Sequence, residues 1–102
     1  MFAKTVKILN QTGLHARPAT LFMETASKFT AAVSVLKGDQ EVDAKSVLSL
    51  MLLEAVGGTE LTIKAHGEDE VAAVNALAGL VENGFDEEES RSSVKPGINE
   101  RV

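Results

Sequence analysis

Two short stretches of this chain carry residues that could do chemistry. The first is Gly13-Leu14-His15-Ala16-Arg17-Pro18-Ala19. Proline is tolerated in the first turn of a helix, where N–H groups have no intrahelical acceptor, so a helix opening at Ala16 is expected. His15 then stands at the helix mouth, where free backbone N–H groups and the positive dipole end favour an anion. Arg17 can bring a guanidinium to the same point, and a guanidinium holds phosphate oxygens in a bidentate fork. A neutral imidazole nitrogen is a competent nucleophile near neutral pH. These residue types in this order suit a site that takes a phosphoryl group on nitrogen and stabilises the charge that arrives. A histidine ahead of a helix can equally be an indifferent cap or surface residue, and spacing alone leaves both readings open.

The second stretch is Lys45-Ser46-Val47-Leu48. Ser46 is a good N-cap, worth about 1 kcal/mol to the short helix behind it. A phosphate on the same hydroxyl would be tolerated by the fold and felt by any partner docking beside it. Capping alone is enough to account for the serine. His66, the only other histidine, is expected to end a strand at the surface. No carboxylate lies at metal-ligand spacing to either histidine, and there is no Cys, which removes thiolate zinc sites, iron–sulfur clusters and thiol nucleophiles. No metal and no cofactor are expected. Nothing resembles the nucleophile elbow of a Ser-His-Asp hydrolase.

Several elements must position these residues. Residues 5–9 alternate in the manner of a half-buried strand, with Val6 and Ile8 on one face and Lys7 on the other, and residues 10–13 read as a turn. Ala19, Phe22, Met23 and Ala26 fall on one helical face, giving a helix over 16–27. Val33 and Val35 mark a strand over 32–37, and Val42 and Ala44 a strand over 41–44, with Gly38-Asp39 as the tight turn between them. The run 47–54 is helical but apolar around nearly its whole circumference. A helix of two turns in a small chain cannot be enclosed on all sides, so an exposed apolar patch is expected, with Val47, Leu48 and Met51 as candidates. Gly57-Gly58 ends that run, and 59–66 alternates again. Carboxylates at 68–70 suit the positive end of a last helix whose buried stripe is Val74, Leu77, Ala78 and Val81, stopped by Asn83-Gly84. The pattern predicts an α+β fold in the order βαββαβα, an antiparallel sheet covered on one face by three helices.

The chain has 102 residues, 44% hydrophobic and 25% charged, with four Phe as the only aromatics. That is one small domain with an aliphatic core and no room for a deep catalytic cleft. The net charge is −5, and it is divided: residues 1–46 hold six basic and four acidic residues, residues 47–102 four basic and eleven acidic. Such a balance argues against a nucleic-acid partner, because phosphate-backbone binding needs a basic stripe. No apolar run reaches the ~18 residues of a membrane span and no signal-peptide pattern opens the chain, so a cytoplasmic location is expected. Residues 88–102 are polar and charged, the composition of a disordered tail following a domain over 1–87.

GLHARPA at 13–19, AKSVL at 44–48, GTELTI at 58–63 and the acidic residues 68–70 together closely resemble the HPr family, histidine-containing phosphocarriers of the bacterial phosphoenolpyruvate-dependent phosphotransferase system. The resemblance runs from about residue 2 to residue 87. It implies an open-faced β-sandwich, and a monomer that is a stoichiometric carrier and not an enzyme. By position it makes His15 the histidine phosphorylated on Nδ1 by enzyme I, Arg17 its phosphate support, and the N–H groups of Ala16 and Arg17 the rest of the cradle. Ser46 matches the serine modified by HPr kinase/phosphorylase where that enzyme exists. Val47, Leu48 and Met51 match the apolar surface shared by enzyme I, EIIA domains and the kinase; a transcriptional regulator is a further implied partner. Val47-Leu48-Ser49 departs from the commoner Ile-Met-Gly pattern, and the end of the last helix is similar to the nitrogen-related (NPr) branch. A mainly regulatory homologue, as in Crh, tends to lack the active histidine, whereas His15 is present here.

Overall fold

The computed structural model describes residues 1–86. The polar stretch 88–102, expected to be a disordered tail, lies outside the described residues. Four strands, β1 (Phe2–Lys7), β2 (Ala32–Lys37), β3 (Gln40–Asp43) and β4 (Glu60–His66), form one sheet in the order β1-β4-β2-β3, every pair antiparallel. There are three helices, α1 (Ala16–Ala26), α2 (Val47–Leu52) and α3 (Glu70–Glu82), and a short 3-10 turn at Gly84–Asp86 follows α3. The element order is βαββαβα, as the periodicity predicts.

The alternation along the strands decides which face the helices cover. Val6, Val33, Val35, Leu61, Ile63 and Ala65 point inward and are buried, and against them pack Ala19, Phe22 and Ala26 of α1, Leu50 of α2 and Ala73, Val74, Leu77, Ala78 and Val81 of α3. Burying a side chain such as Phe22 removes it from water at a gain of about 2–3 kcal/mol. The opposite face keeps polar partners in register: Thr5 and Thr62 hydroxyls meet at 3.0 Å, and Lys64 pairs with Glu41 at 3.2 Å. Lys37 stands opposite Gln40, so the β2–β3 connection is the two-residue turn Gly38-Asp39, with Gly38 at φ 58°.

Some boundaries differ from the sequence reading. β1 covers 2–7, not 5–9, because Phe2 pairs with Ala65; Ile8 remains bonded across to Thr59 and Gly58 but lies past the ladder, and Leu9 is 60% exposed. β3 is 40–43 because Ala44, although it bonds to Val33, turns into the core. α1 ends at Ala26 with Ser27 as its cap. α2 stops at Leu52 because Glu54 takes a left-handed conformation (φ 54°), which no helix can continue through. Phe85 adopts φ 57°, and this turn drops its ring into the core.

The carboxylates at the head of α3 have specific partners in addition to the dipole. Asp69 makes no cap bond on its own helix; it accepts from the N–H groups of Thr30 (2.9 Å) and Ala31 (2.8 Å) and from the Thr30 hydroxyl (3.3 Å). It thereby ties the α1–β2 loop to α3. Glu70 accepts from Gly67 N–H at 3.0 Å and faces the Met1 amine at 3.0 Å. Gly67 is itself required there, because a Cβ would come within 2.8 Å of Ala31 Cα.

Candidate phosphoryl-acceptor site

The site begins in a turn. Gly13 N–H donates to the Asn10 carbonyl (3.2 Å), and the buried Asn10 side chain donates from Nδ2 to the Gly13 carbonyl (2.9 Å), so residues 10–13 are closed from both sides. Leu14 is buried and donates its N–H to Ala55 O at 2.9 Å. The chain then emerges: His15, Ala16 and Arg17 are all exposed.

His15 is the N-cap residue of α1, with extended backbone (φ −85°, ψ −169°), and its carbonyl takes the first helical bond, from Ala19 N–H at 2.9 Å. Its imidazole makes no cap bond. Pro18 has no N–H and Ala19 is already bonded, so the donors that the helix cannot use are those of Ala16 and Arg17. Two backbone N–H groups and the exposed residues His15 and Arg17 therefore stand at the head of one helix, residue types suited to an anion beside a nucleophile.

Packing around the turn is backbone against backbone. A Cβ on Gly13 would run into Ala55 O and approach Val56 Cα at 2.6 Å, and a Cβ on Gly57 would meet Asn10 O at 2.9 Å. The segment after α2 is thus seated directly on the turn before His15. α2 and α1 also pack together. This brings the apolar surface of α2 next to the helix mouth.

That surface differs from expectation at one end. Leu48 is 68% and Met51 39% exposed, as expected, but Val47 is only half-exposed because it packs against the core. Leu52 (64%) and Val56 (58%) extend the patch towards the His15 turn. Periodicity could not separate these residues, since apolar positions occupy nearly the whole circumference of the run, with Ser49 the one polar residue inside α2; only the packing of α2 says which ones are left outside. Ser46 caps α2, its Oγ accepting from Ser49 N–H at 3.3 Å. His66 is exposed at the end of β4, away from the helix mouth by sequence and by element. Among the described residues no group of three His, Asp or Glu side chains is arranged to hold a metal, and no helix is long and apolar enough to cross a membrane.

Residues 2–83 match the family model described as the PTS HPr component phosphorylation site. The chain is 42% identical to phosphocarrier protein HPr of Treponema pallidum over 88 residues, which is 86% of this chain and all of the relative. It is 44% identical to the HPr-like protein Crh of Bacillus subtilis, covering 80% of this chain and 96% of the relative. Among solved structures, the crystal structure of HPr-C-His from Thermoanaerobacter tengcongensis superposes with a TM-score of 0.82 at 45% identity, covering 85% of this chain and 98% of that one.

Proposed function

The chain belongs to the HPr family of phosphotransferase-system phosphocarriers, and on that premise we propose that His15 accepts a phosphoryl group from phosphorylated enzyme I and donates it to EIIA domains. Support comes from one observation above all: His15 is exposed at the mouth of a helix whose unused donors are the N–H groups of Ala16 and Arg17. In the forward step the Nδ1 lone pair of His15 attacks phosphorus while the bond from phosphorus to the donor imidazole breaks. The donor ring leaves as a neutral imidazole after taking a proton. The incoming charge is met by the two N–H groups and the Arg17 guanidinium. Once the phosphohistidine ring is protonated its imidazole is in turn a good leaving group, so the phosphoryl group passes readily onward. The protein is modified and restored in each cycle, which makes it a carrier and not an enzyme.

Leu48 and Met51, with Val47 at their edge, form the docking face in this reading, and Leu52 and Val56 enlarge it. Ser46 is the regulatory site. A phosphate ester on serine has a poor leaving group and persists, while its charge of about −2 opposes docking to an acidic partner surface. HPr kinase/phosphorylase and a transcriptional regulator belong to this second role. We assign the carrier domain to residues 1–87 and the protein to the cytoplasm.

Likeness to Crh favours a mainly regulatory role as the second reading. His15 beside Arg17 supports transfer, and comparison of rates to sugar-type and nitrogen-type EIIA domains separates the branches. The deciding experiment incubates the chain with phosphoenolpyruvate and enzyme I. An acid-labile, base-stable phosphate is expected on the chain, absent from His15→Ala; label surviving in that variant overturns the assignment.

A further inference from the structure

The His15 turn is held by more than its own helix. Lys37, the last residue of β2, is half-buried and directs its Nζ onto the carbonyl oxygens that close α2: Leu53 O at 2.9 Å and, at greater length, Glu54 O at 3.4 Å. The last carbonyls of a helix lack intrahelical donors and carry the negative end of its dipole, so an ammonium group satisfies both. Glu54 itself sits at φ 54°, a left-handed conformation that strains a residue with a side chain and persists only when its surroundings over-determine it. The next residue is Ala55, whose carbonyl receives Leu14 N–H and whose backbone, with that of Val56, is pressed against Gly13. Leu14 precedes His15.

We propose that Lys37 is a positioning residue for phosphoryl transfer: by anchoring Leu53 and Glu54 it fixes the 53–56 segment on which the His15 turn is built. The inference rests on His15 as the phosphoryl acceptor. Transfer between two imidazoles needs an in-line approach, with little covalent help from the protein, so the rate depends on how closely the ring is held to one orientation. Lys37 touches neither substrate nor phosphate; it acts through the contact of Ala55 with Leu14.

The test uses the full chain with Lys37→Met, which keeps the aliphatic stem without the donors, and Lys37→Arg, which keeps charge and donors. Amide exchange is followed at Leu14, with Ile63 in the sheet core as the reference for global stability. Phosphorylation by phosphoenolpyruvate and enzyme I is measured at saturating chain concentration. Lys37→Met is expected to exchange about ten-fold faster at Leu14 with Ile63 protection retained. Its phosphorylation rate at saturation is expected to fall by about ten-fold, with a smaller change in the half-saturating concentration. Lys37→Arg restores both. Unchanged exchange at Leu14, or faster exchange with an unchanged saturating rate, overturns the proposal. If Lys37→Met loses Ile63 protection as well, Lys37→Gln, a shorter side chain without the charge that keeps an amide NH2, is put through the same measurements and the same outcomes decide. Absence of label on the unsubstituted chain overturns the assignment of His15; normal labelling with normal Lys37→Met kinetics overturns only the role of Lys37.

Discussion

A side chain at position 13 has nowhere to go, because Ala55 and Val56 occupy the space a Cβ would take. Across that contact, position 54 holds a glutamate in a left-handed conformation that glycine would adopt without strain. Glu54→Gly is therefore expected to stabilise the fold by up to about 1 kcal/mol, the relief of the left-handed strain less the added flexibility of the unfolded chain. A shift of the urea midpoint to higher concentration at unchanged slope checks it, and an unchanged or lower midpoint contradicts it. The Lys37 bonds to the Leu53 and Glu54 carbonyls are what hold the strained residue in place. At this scale the position of His15 and Arg17 at the head of a helix was legible, since the proline and the residue order mark where α1 begins. The contacts of Lys37 and Asp69 were not, because each reaches a partner outside its own element.

At the scale of elements, α2 carries two properties that can be separated. Its N-cap is a hydroxyl accepting a long bond from Ser49, and its solvent face is apolar. Aspartate caps a helix about as well as serine, whereas alanine does not cap at all. Ser46→Asp is thus expected to keep stability within about 0.5 kcal/mol of the parent. It should raise the chain concentration needed for half-maximal phosphorylation by enzyme I. Ser46→Ala should lose about 1 kcal/mol of stability and leave that concentration unchanged. Thermal melts and initial rates on the two variants check both statements. The existence of α2 and an exposed patch followed from composition, because so apolar a helix cannot be enclosed by so small a chain. The membership of the patch did not follow, because the tilt of α2 against the core, which half-buries Val47 and exposes Leu52, depends on α1 and the sheet.

For the molecule as a whole, two carboxylates at the head of α3 bear on how stability responds to acid. The N–H of Thr30 is the main group holding the Asp69 carboxyl below its ordinary range, and the N–H of Gly67 does the same for Glu70. A carboxyl whose folded pKa lies below its unfolded value of about 4 contributes stability above that pH, and the contribution is lost as pH falls through the folded range. Stability should therefore decline with acid below about pH 4. Asp69→Asn should be less stable at neutral pH, with a flatter acid limb, measured as the urea midpoint against pH. An acid limb as steep as the parent's would contradict the assignment.

The sequence by itself determined the element order, the antiparallel α+β class and the helix starts at which the two candidate stretches lie, because side-chain periodicity, turn residues and helix-start signals are local. Tertiary structure decided what lies across from what: that β1 runs back to Phe2 because Ala65 is there to pair with it, that Asp69 serves the α1–β2 loop and not only its own helix, and that the segment after α2 seats the His15 turn. These are contacts between residues some forty or more positions apart in several cases, and their geometry exists only once the helices have packed on one face of the sheet.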